Sequence, residues 1–482
     1  MSLLPFLCSF LAFFFISAVT SAQGEAPPDA APSPVRALPL VPSTSARVLT
    51  LAEVVDLAVR EQPQLLAARA QIAAAEGTLE QSRSGLFPQI TAIGQYAYGN
   101  SVRPVTVNNS SGSAAMATPM NPMMAAGAGT LTTQTNPVAS TFVLTVPSGY
   151  WNIGLSGTQL IWDFGQTWGR FQSAAATVDS ERFAEKTTLL QVVSTVRRDY
   201  FAARANKDLV AVAQETLDDQ KKHLTQVLGQ VEVGTQPPIA LAQQRAAVAG
   251  AEVQLISSQN NYETAKAQLN QAVGIKTDTD YDLGNEIFGP IDDEEQALET
   301  LWRRALDARP EMSVLAQQRT AQADTLSAVK GGYGPTLSAT GSISEQGTNI
   351  AELDRTWSVG LLASWPIFQG GYTAGLVRQA EGNLAGIDAQ RSLEELQIRL
   401  DVDSAQLAVR AGKATIGSAE DAVTNAREQL RLAEQRYATG VGSIIELDDA
   451  QVAYTTAAAQ LVQARYSLAS ARAQFLAAMG RR

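Results

Sequence analysis

The sequence predicts a mainly α-helical chain with a small transmembrane β part, built twice from one helix–strand–strand–long helix–long helix unit. Three observations predict it. The chain is internally duplicated. Its helical stretches carry heptads far longer than a globular domain can hold. Each copy also contains two short runs in which apolar and polar residues alternate.

The duplication fixes the order of elements. Gly234 through Leu241 matches Gly440 through Leu447, and at the same spacing Ile161-Trp162-Asp163-Phe164-Gly165 matches Ile367-Phe368-Gln369-Gly370-Gly371. Leu269 through Gly274 matches Phe475 through Gly480. Earlier in each copy the spacing is wider: Pro63 pairs with Pro310, and Leu86-Phe87-Pro88 with Tyr333-Gly334-Pro335. The first copy therefore carries extra chain between Pro88 and Ile161. Residues 100–147, rich in Ser, Thr, Asn, Met, Gly and Pro, account for it and read as a long exposed loop. The first copy spans 49–274, an irregular acidic linker 275–293, and the second copy 294–482.

Ahead of the first copy, Leu3 to Ile16 is nearly all apolar and Thr20-Ser21-Ala22 offers a small-residue cleavage site, so residues 1–22 read as an export signal. No Lys or Arg precedes the apolar run, and a retained anchor is the alternative. Cys8 is the one cysteine; a chain cut after Ala22 has neither disulfide nor thiol chemistry. The Pro/Ala-rich stretch 23–48 reads as a flexible lead-in. After residue 22 no run is apolar for long enough to cross a bilayer as a helix, so any membrane-spanning part must be made of strands.

The long helices are expected at about 165–233, 237–273, 371–438 and 443–480. In the last, Leu447, Tyr454, Leu461, Leu468 and Phe475 recur every seven residues, with Ala450, Ala457, Ala464, Ala471 and Ala478 three places on. That is a coiled-coil seam in which alanine lets helix backbones approach closely. Leu241, Val248, Leu255, Tyr262 and Leu269 repeat it in the first copy. Val196, Ala203, Val210, Leu217, Leu224 and Val231, and likewise Val402, Val409, Ile416, Val423, Leu430 and Tyr437, form rows on the preceding helices. The 165–233 helix would be on the order of 100 Å long. The helices alone are equally compatible with a solid rod.

Strands are expected at about 88–99, 149–162, 335–346 and 356–367. Trp151, Ile153 and Leu155 alternate with Asn152 and Ser156; Trp357, Val359, Leu361, Ala363 and Trp365 alternate with Ser358, Gly360 and Ser364. These runs have the length a tilted membrane strand needs, and Trp151, Trp162, Trp357 and Trp365 fall near strand ends, where an aromatic girdle sits. A soluble sheet with tryptophans in its core is the alternative. In lipid, four strands leave two open edges, and the smallest membrane barrels have about eight strands. Two copies or three would supply enough, and the residues do not choose between them.

Three local motifs stand in this duplicated order: Leu86-Phe87-Pro88 before a strand, Ile367-Phe368-Gln369-Gly370-Gly371 after one, and Tyr437-Ala438-Thr439-Gly440 at a hairpin tip. From about Leu49 to Gly480 the chain resembles the TolC family of outer membrane factors. The resemblance implies a homotrimer whose twelve strands close one β-barrel in outer-membrane lipid and whose helices continue as a coiled-coil α-barrel through the periplasm. It also implies that the hairpin tips dock onto a periplasmic adaptor protein, itself bound to an inner-membrane pump.

Val233-Gly234-Thr235 and Thr439-Gly440-Val441 resemble the family's docking turns; glycine there would reverse the chain in any case. Glu446 and Asp449, with Asp448 beside them, resemble acids that line the narrowest periplasmic aperture. Three-fold symmetry would make each a carboxylate ring that attracts cations, although an acid near a helix N-terminus is also favoured by the helix dipole. Tyr437 matches a gate contact that helps hold the closed state. Gly442 stands where some members have arginine, and Ile239 and Ala240 replace polar partners, so the closed state is expected to be held differently here.

The net charge of −11 argues against nucleic acid as a partner. His223, the one histidine, lies among charged residues of a long helix and is expected to be solvated. No catalytic set, metal site or cofactor site is expected, and Lys330-Gly331-Gly332-Tyr333-Gly334-Pro335 lacks phosphate-loop spacing and reads as a helix stop. The expected function is not enzymatic: an outer-membrane channel subunit of a tripartite efflux or type I secretion system, passive and driven by the pump. A periplasmic adaptor or structural coiled coil is the alternative, and an adaptor would show one hairpin rather than a duplicated pattern.

Overall fold

The computed structural model describes residues 47–97, 103–107, 140–144, 149–276, 281–286 and 288–482. The expected export signal, residues 23–46 of the lead-in and most of the 100–147 loop lie outside them.

Each copy opens with a short helix and a medium one: α1 (Leu51–Glu61) and α2 (Pro63–Ser84) in the first, α5 (Leu298–Ala308) and α6 (Pro310–Gly331) in the second. Pro63 and Pro310 explain the break between each pair, because proline starts a helix readily and cannot continue one. Thr50 and Glu53 close a capping box on α1. Strands β2 (Gln89–Ala97) and β5 (Tyr150–Trp162) follow α2, and β7 (Thr336–Asn349) and β8 (Glu352–Ser364) follow α6. Then come α3 (Gln166–Glu232) and α7 (Tyr372–Ala438), each of 67 residues, and the returning helices α4 (Pro238–Val273) and α8 (Ile444–Ala478). Among the described residues no helix is long and apolar enough to cross a membrane.

The four strands form one antiparallel sheet in the order β2-β5-β7-β8, so β2 and β8 are its edges. Three local expectations are corrected. The gap expected between residues 346 and 356 closes into a hairpin, because the Ala351 N–H donates to the Asn349 side chain and tightens the turn; β8 accordingly ends at Ser364 and leaves Trp365 beyond it. Inside the expected 100–147 loop, β3 (Arg103–Val107) pairs antiparallel with β4 (Ser140–Leu144). The end of the expected flexible lead-in, β1 (Arg47–Leu49), pairs in parallel with β6 (Tyr281–Leu283) inside the linker expected to be irregular.

Packing follows the heptads. Leu447, Tyr454, Leu468 and Phe475 of α8 are buried together with Ala450, Ala457, Ala464, Ala471 and Ala478. The linker is bolted across the helices by charge. The Arg472 side chain donates from Nε to Glu294 Oε1 at 2.7 Å and from Nη1 to the Phe288 carbonyl at 2.8 Å, and Lys413 Nζ lies 2.7 Å from Glu294 Oε2. Burial would raise the Glu294 carboxyl, but the hydrogen bonds from Lys413, the Ile291 N–H and Arg472 outweigh it and hold Glu294 below the usual carboxylate range. Stability from this group is therefore complete above that range and is lost as acid takes the pH down through the lowered value. Arg472→Met removes one charge-assisted bond to Glu294 while Lys413 and the Ile291 N–H remain, and should cost about 1.5–3 kcal/mol of unfolding free energy; a denaturant titration in detergent checks this.

Candidate channel surfaces: the sheet and the hairpin tips

Residues opposite one another in the register share a face. One face carries Ile90, Ala92 and Tyr96, then Trp151, Ile153 and Leu155, then Leu337, Ala339 and Ile343, then Trp357, Val359 and Leu361. The other carries Thr91 and Gln95, Asn152, Ser156 and Thr158, Ser338, Thr340, Ser342 and Ser344, and Thr356 and Ser358. Hydroxyl pairs Ser342–Ser358 and Ser344–Thr356, each at 2.9 Å, tie the polar face together. The apolar face is bare in the single chain: Ile90 is 75% exposed, Val359 80% and Leu361 72%.

The four tryptophans fall at three levels of the sheet. Trp151 lies against Tyr96 with ring centroids 4.5 Å apart, at the end of the sheet away from α3 and α7, whereas Trp357, expected near a strand end, stands opposite Ile343 and through it Leu155, near the middle of β8. Trp162 and Trp365 lie at the helical end. A bulge between Leu160 and Trp162 shifts Trp162 opposite Leu337, onto the apolar face that plain alternation would deny it. The Trp365 indole N–H donates to the Tyr333 carbonyl at 3.0 Å.

At the far end of the long helices both tips use the same backbone device. The N–H groups of Gly234 and Thr235 donate to the carbonyls of Val231 and Gln230, and those of Gly440 and Val441 to Tyr437 and Arg436, at 2.9–3.1 Å. Gly234 and Gly440 have φ of 75° and 77°, which L side chains rarely adopt. The tips display Val233 and Val441, 75% and 74% exposed; Thr235 and Thr439 flank them. At Gly442 an added Cβ would stand 3.0 Å from the Arg436 backbone, so an arginine there would push on the last turn of α7.

The three acids beyond the second tip differ in setting. Glu446 Oε1 lies 3.3 Å from Arg436 Nη1, and its own N–H is capped by the Ser443 hydroxyl. Asp449 is exposed. Asp448 turns inward: its Oδ1 is buried with no hydrogen-bond partner. Burial pushes its carboxyl above the usual range, with His223 opposing and Asp449 adding to the rise. Tyr437 is 1% exposed and packs in the cluster with Leu447 and Ala450; its hydroxyl has no partner, and burial and Asp448 push it up. His223 corrects its expectation: it is 7% exposed, because Gln220, His223 and Val227 form the face of α3 that is covered, while Lys221 and Lys222 face away.

The family model described as outer membrane efflux protein matches residues 54–275 and 301–481, well over half of the chain. The chain belongs to the outer membrane efflux protein family. It is 22% identical over 437 residues to outer membrane protein TolC of Salmonella enteritidis, covering 88% of this chain and 80% of that protein. It is 23% identical over 337 residues to outer membrane efflux protein BepC of Brucella suis, covering 68% and 72%. Its fold is that of the Campylobacter jejuni CmeC outer membrane channel, with a TM-score of 0.72 at 18% identity, covering 95% of this chain and 94% of that one. The protein is thus an efflux channel protein of the Gram-negative outer membrane with a long periplasmic helical portion, from a family of channels rather than enzymes.

One surface of this outer membrane efflux protein escaped the sequence reading. Leu393, Leu396, Leu400 and Leu407 stand 67%, 67%, 59% and 55% exposed along one stripe of α7. The reading followed Val402 and Val409, the buried row; a second apolar row at heptad spacing on the same helix was the available signal. At the tips, Gly234→Ala and Gly440→Ala should each cost about 1–2 kcal/mol, because a Cβ disfavours the left-handed backbone. Gly250→Ala, inside α4 with open space around it, should instead stabilise by about 0.5–1 kcal/mol. Denaturant midpoints of the three variants check the contrast.

Proposed function

We propose that three copies of this chain join edge to edge, β2 of one against β8 of the next, to close a single twelve-stranded barrel in the outer membrane. The observation that carries this reading is a four-stranded sheet with both edges unpaired among the described residues, one face mostly apolar apart from the Glu345–Arg355 ion pair toward its far end and the other mostly Ser, Thr, Gln and Asn with Ile93, Leu160 and Leu362 among them. The apolar face meets lipid, Trp151 marks a girdle at one end and Trp162 and Trp365 at the other, Trp357 faces lipid between them, and the polar face lines the bore. Two copies would make an eight-stranded barrel, whose interior side chains fill; three leave an aqueous conduit. The leucine stripe of α7 supports the same closure lower down, since it offers each copy an apolar helix face for its neighbour.

The helices continue the bore through the periplasm. The tips at Val233-Gly234-Thr235 and Thr439-Gly440-Val441 present short apolar knobs to a periplasmic adaptor, through which an inner-membrane pump drives export. The protein itself is a passive duct. Asp449 and Glu446 form carboxylate rings at the aperture, with Asp449 dominant because Arg436 screens Glu446 within the same hairpin.

Planar-bilayer recordings test this. Asp449→Asn should reduce the cation preference severalfold, Glu446→Gln less, and the double variant most. A double variant with wild-type ion selectivity removes the carboxylate rings from the proposal.

A further inference from the structure

On the channel reading above, we infer that two tyrosine hydroxyls of unequal strength fasten the second hairpin, α7 and α8, to α3 of the first. Tyr466 is a fixed pivot near the linker, and Tyr454 is a catch whose release lets the periplasmic end open.

At the pivot, Arg204 of α3 donates from Nε to the Tyr466 hydroxyl at 2.9 Å, and that hydroxyl donates to Asp208 Oδ2 of α3 at 2.6 Å. Arg204 Nη2 lies 2.8 Å from Asp208 Oδ1, and Nη1 donates to the Leu283 carbonyl at 3.4 Å, so β6 braces the same guanidinium. Arg204 is buried. At the catch, the Tyr454 hydroxyl donates to Glu215 Oε1 of α3 at 3.2 Å and accepts from Arg427 Nη2 of α7 at 3.0 Å. The Arg427 guanidinium also lies 5.5 Å from the centre of the Tyr454 ring. In the same layer the Thr216 and Thr455 hydroxyls stand 3.0 Å apart. The Tyr454 side chain is buried, whereas Glu215 and Arg427 are exposed. A fixed ring thus holds its hydroxyl between a carboxylate on one hairpin and a guanidinium on the other, joining three helices.

Burial ranks the two ties. A hydrogen bond to a charged group is strong when it is shielded from water and weak when the charges are exposed. The pivot is therefore the tie that stays, and the catch is the one that can be broken. The two tyrosines are twelve residues apart on α8, about 18 Å along the helix. Among the described residues, no hydrogen bond joins the hairpins on the tip side of the catch; His223 Nε2 stands 4.0 Å from Glu434 Oε1, beyond hydrogen-bond length. There Val227 and Ala240 of the first hairpin share an apolar cluster with Tyr437, Leu447 and Ala450 of the second. Ile239 and Ala240 bring no polar side chain to the tip. The catch is the last polar fastening before the tips. Once it breaks, apolar packing alone holds the ends together while the pivot keeps α8 attached, so the second hairpin swings and does not detach.

Removing each hydroxyl separates the roles. In Ala240→Cys protein, maleimide labelling of the buried thiol, counted above the background of protein without that cysteine, reports parting of the tips. Tyr454→Phe should raise its rate severalfold, and Glu215→Ala, a change on the exposed side, should do the same. Tyr466→Phe should leave the labelling near the parent rate while lowering the thermal midpoint in detergent more than Tyr454→Phe does. In planar bilayers, Tyr454→Phe should open severalfold more often than the wild type. Unchanged labelling in Tyr454→Phe and Glu215→Ala, an equal rise in Tyr466→Phe, or wild-type opening of the Tyr454→Phe pore overturns the catch. Absence of any pore in the wild type overturns the channel reading instead, and the labelling contrast still decides whether the catch exists.

Discussion

A β-strand in hydrocarbon must pair both of its edges, because no water is there to satisfy a free N–H or C=O. The main sheet of this chain has four strands and, among the described residues, leaves two rows of backbone groups open, on β2 and β8. The rest of the architecture follows from that deficit. Closure requires copies, and copies bring their helices with them. Each helix set must then meet its neighbour, and the leucine stripe of α7 is exposed in the single chain. Small side chains on the polar face of the sheet and buried alanines along α8 keep the wall thin and its parts close.

The opposite end of the molecule obeys a different constraint. Near the tips, His223, Asp448, Gln451 and the Tyr437 hydroxyl have buried atoms without hydrogen-bond partners among the described residues, whereas Phe475 and Ile398 nearer the middle lie in a wholly apolar cluster. Just past the linker, Glu294 ties α7 to α8 through Lys413 and Arg472.

Much of this was legible in the residues, and the exceptions have physical causes. Heptad rows such as Leu447, Tyr454, Leu468 and Phe475 announce their burial, since a large residue facing alanine leaves few other arrangements. The hairpin tips were equally plain, because glycine at 234 and 440 is required by the left-handed backbone. Strand ends were not, since pairing register and a side-chain-closed turn at Asn349 set them. Trp162 kept its face only through a bulge that no alternation pattern reveals. His223 misled because its sequence neighbours are charged, yet burial on a helix is decided three and four residues away, at Gln220 and Val227. The inward turn of Asp448 was hidden for the same reason: Glu446 and Asp449, three residues apart, share one side of the helix, while Asp448 between them lies on another.

The edges of the sheet are also where the whole arrangement can be tested most directly. The mass of the purified, detergent-solubilised protein, measured with the detergent contribution subtracted, should correspond to three copies of the chain, with no stable species smaller than that. A folded monomer that stays soluble after the detergent is removed would mean that the edges of β2 and β8 need no neighbour, and would contradict it.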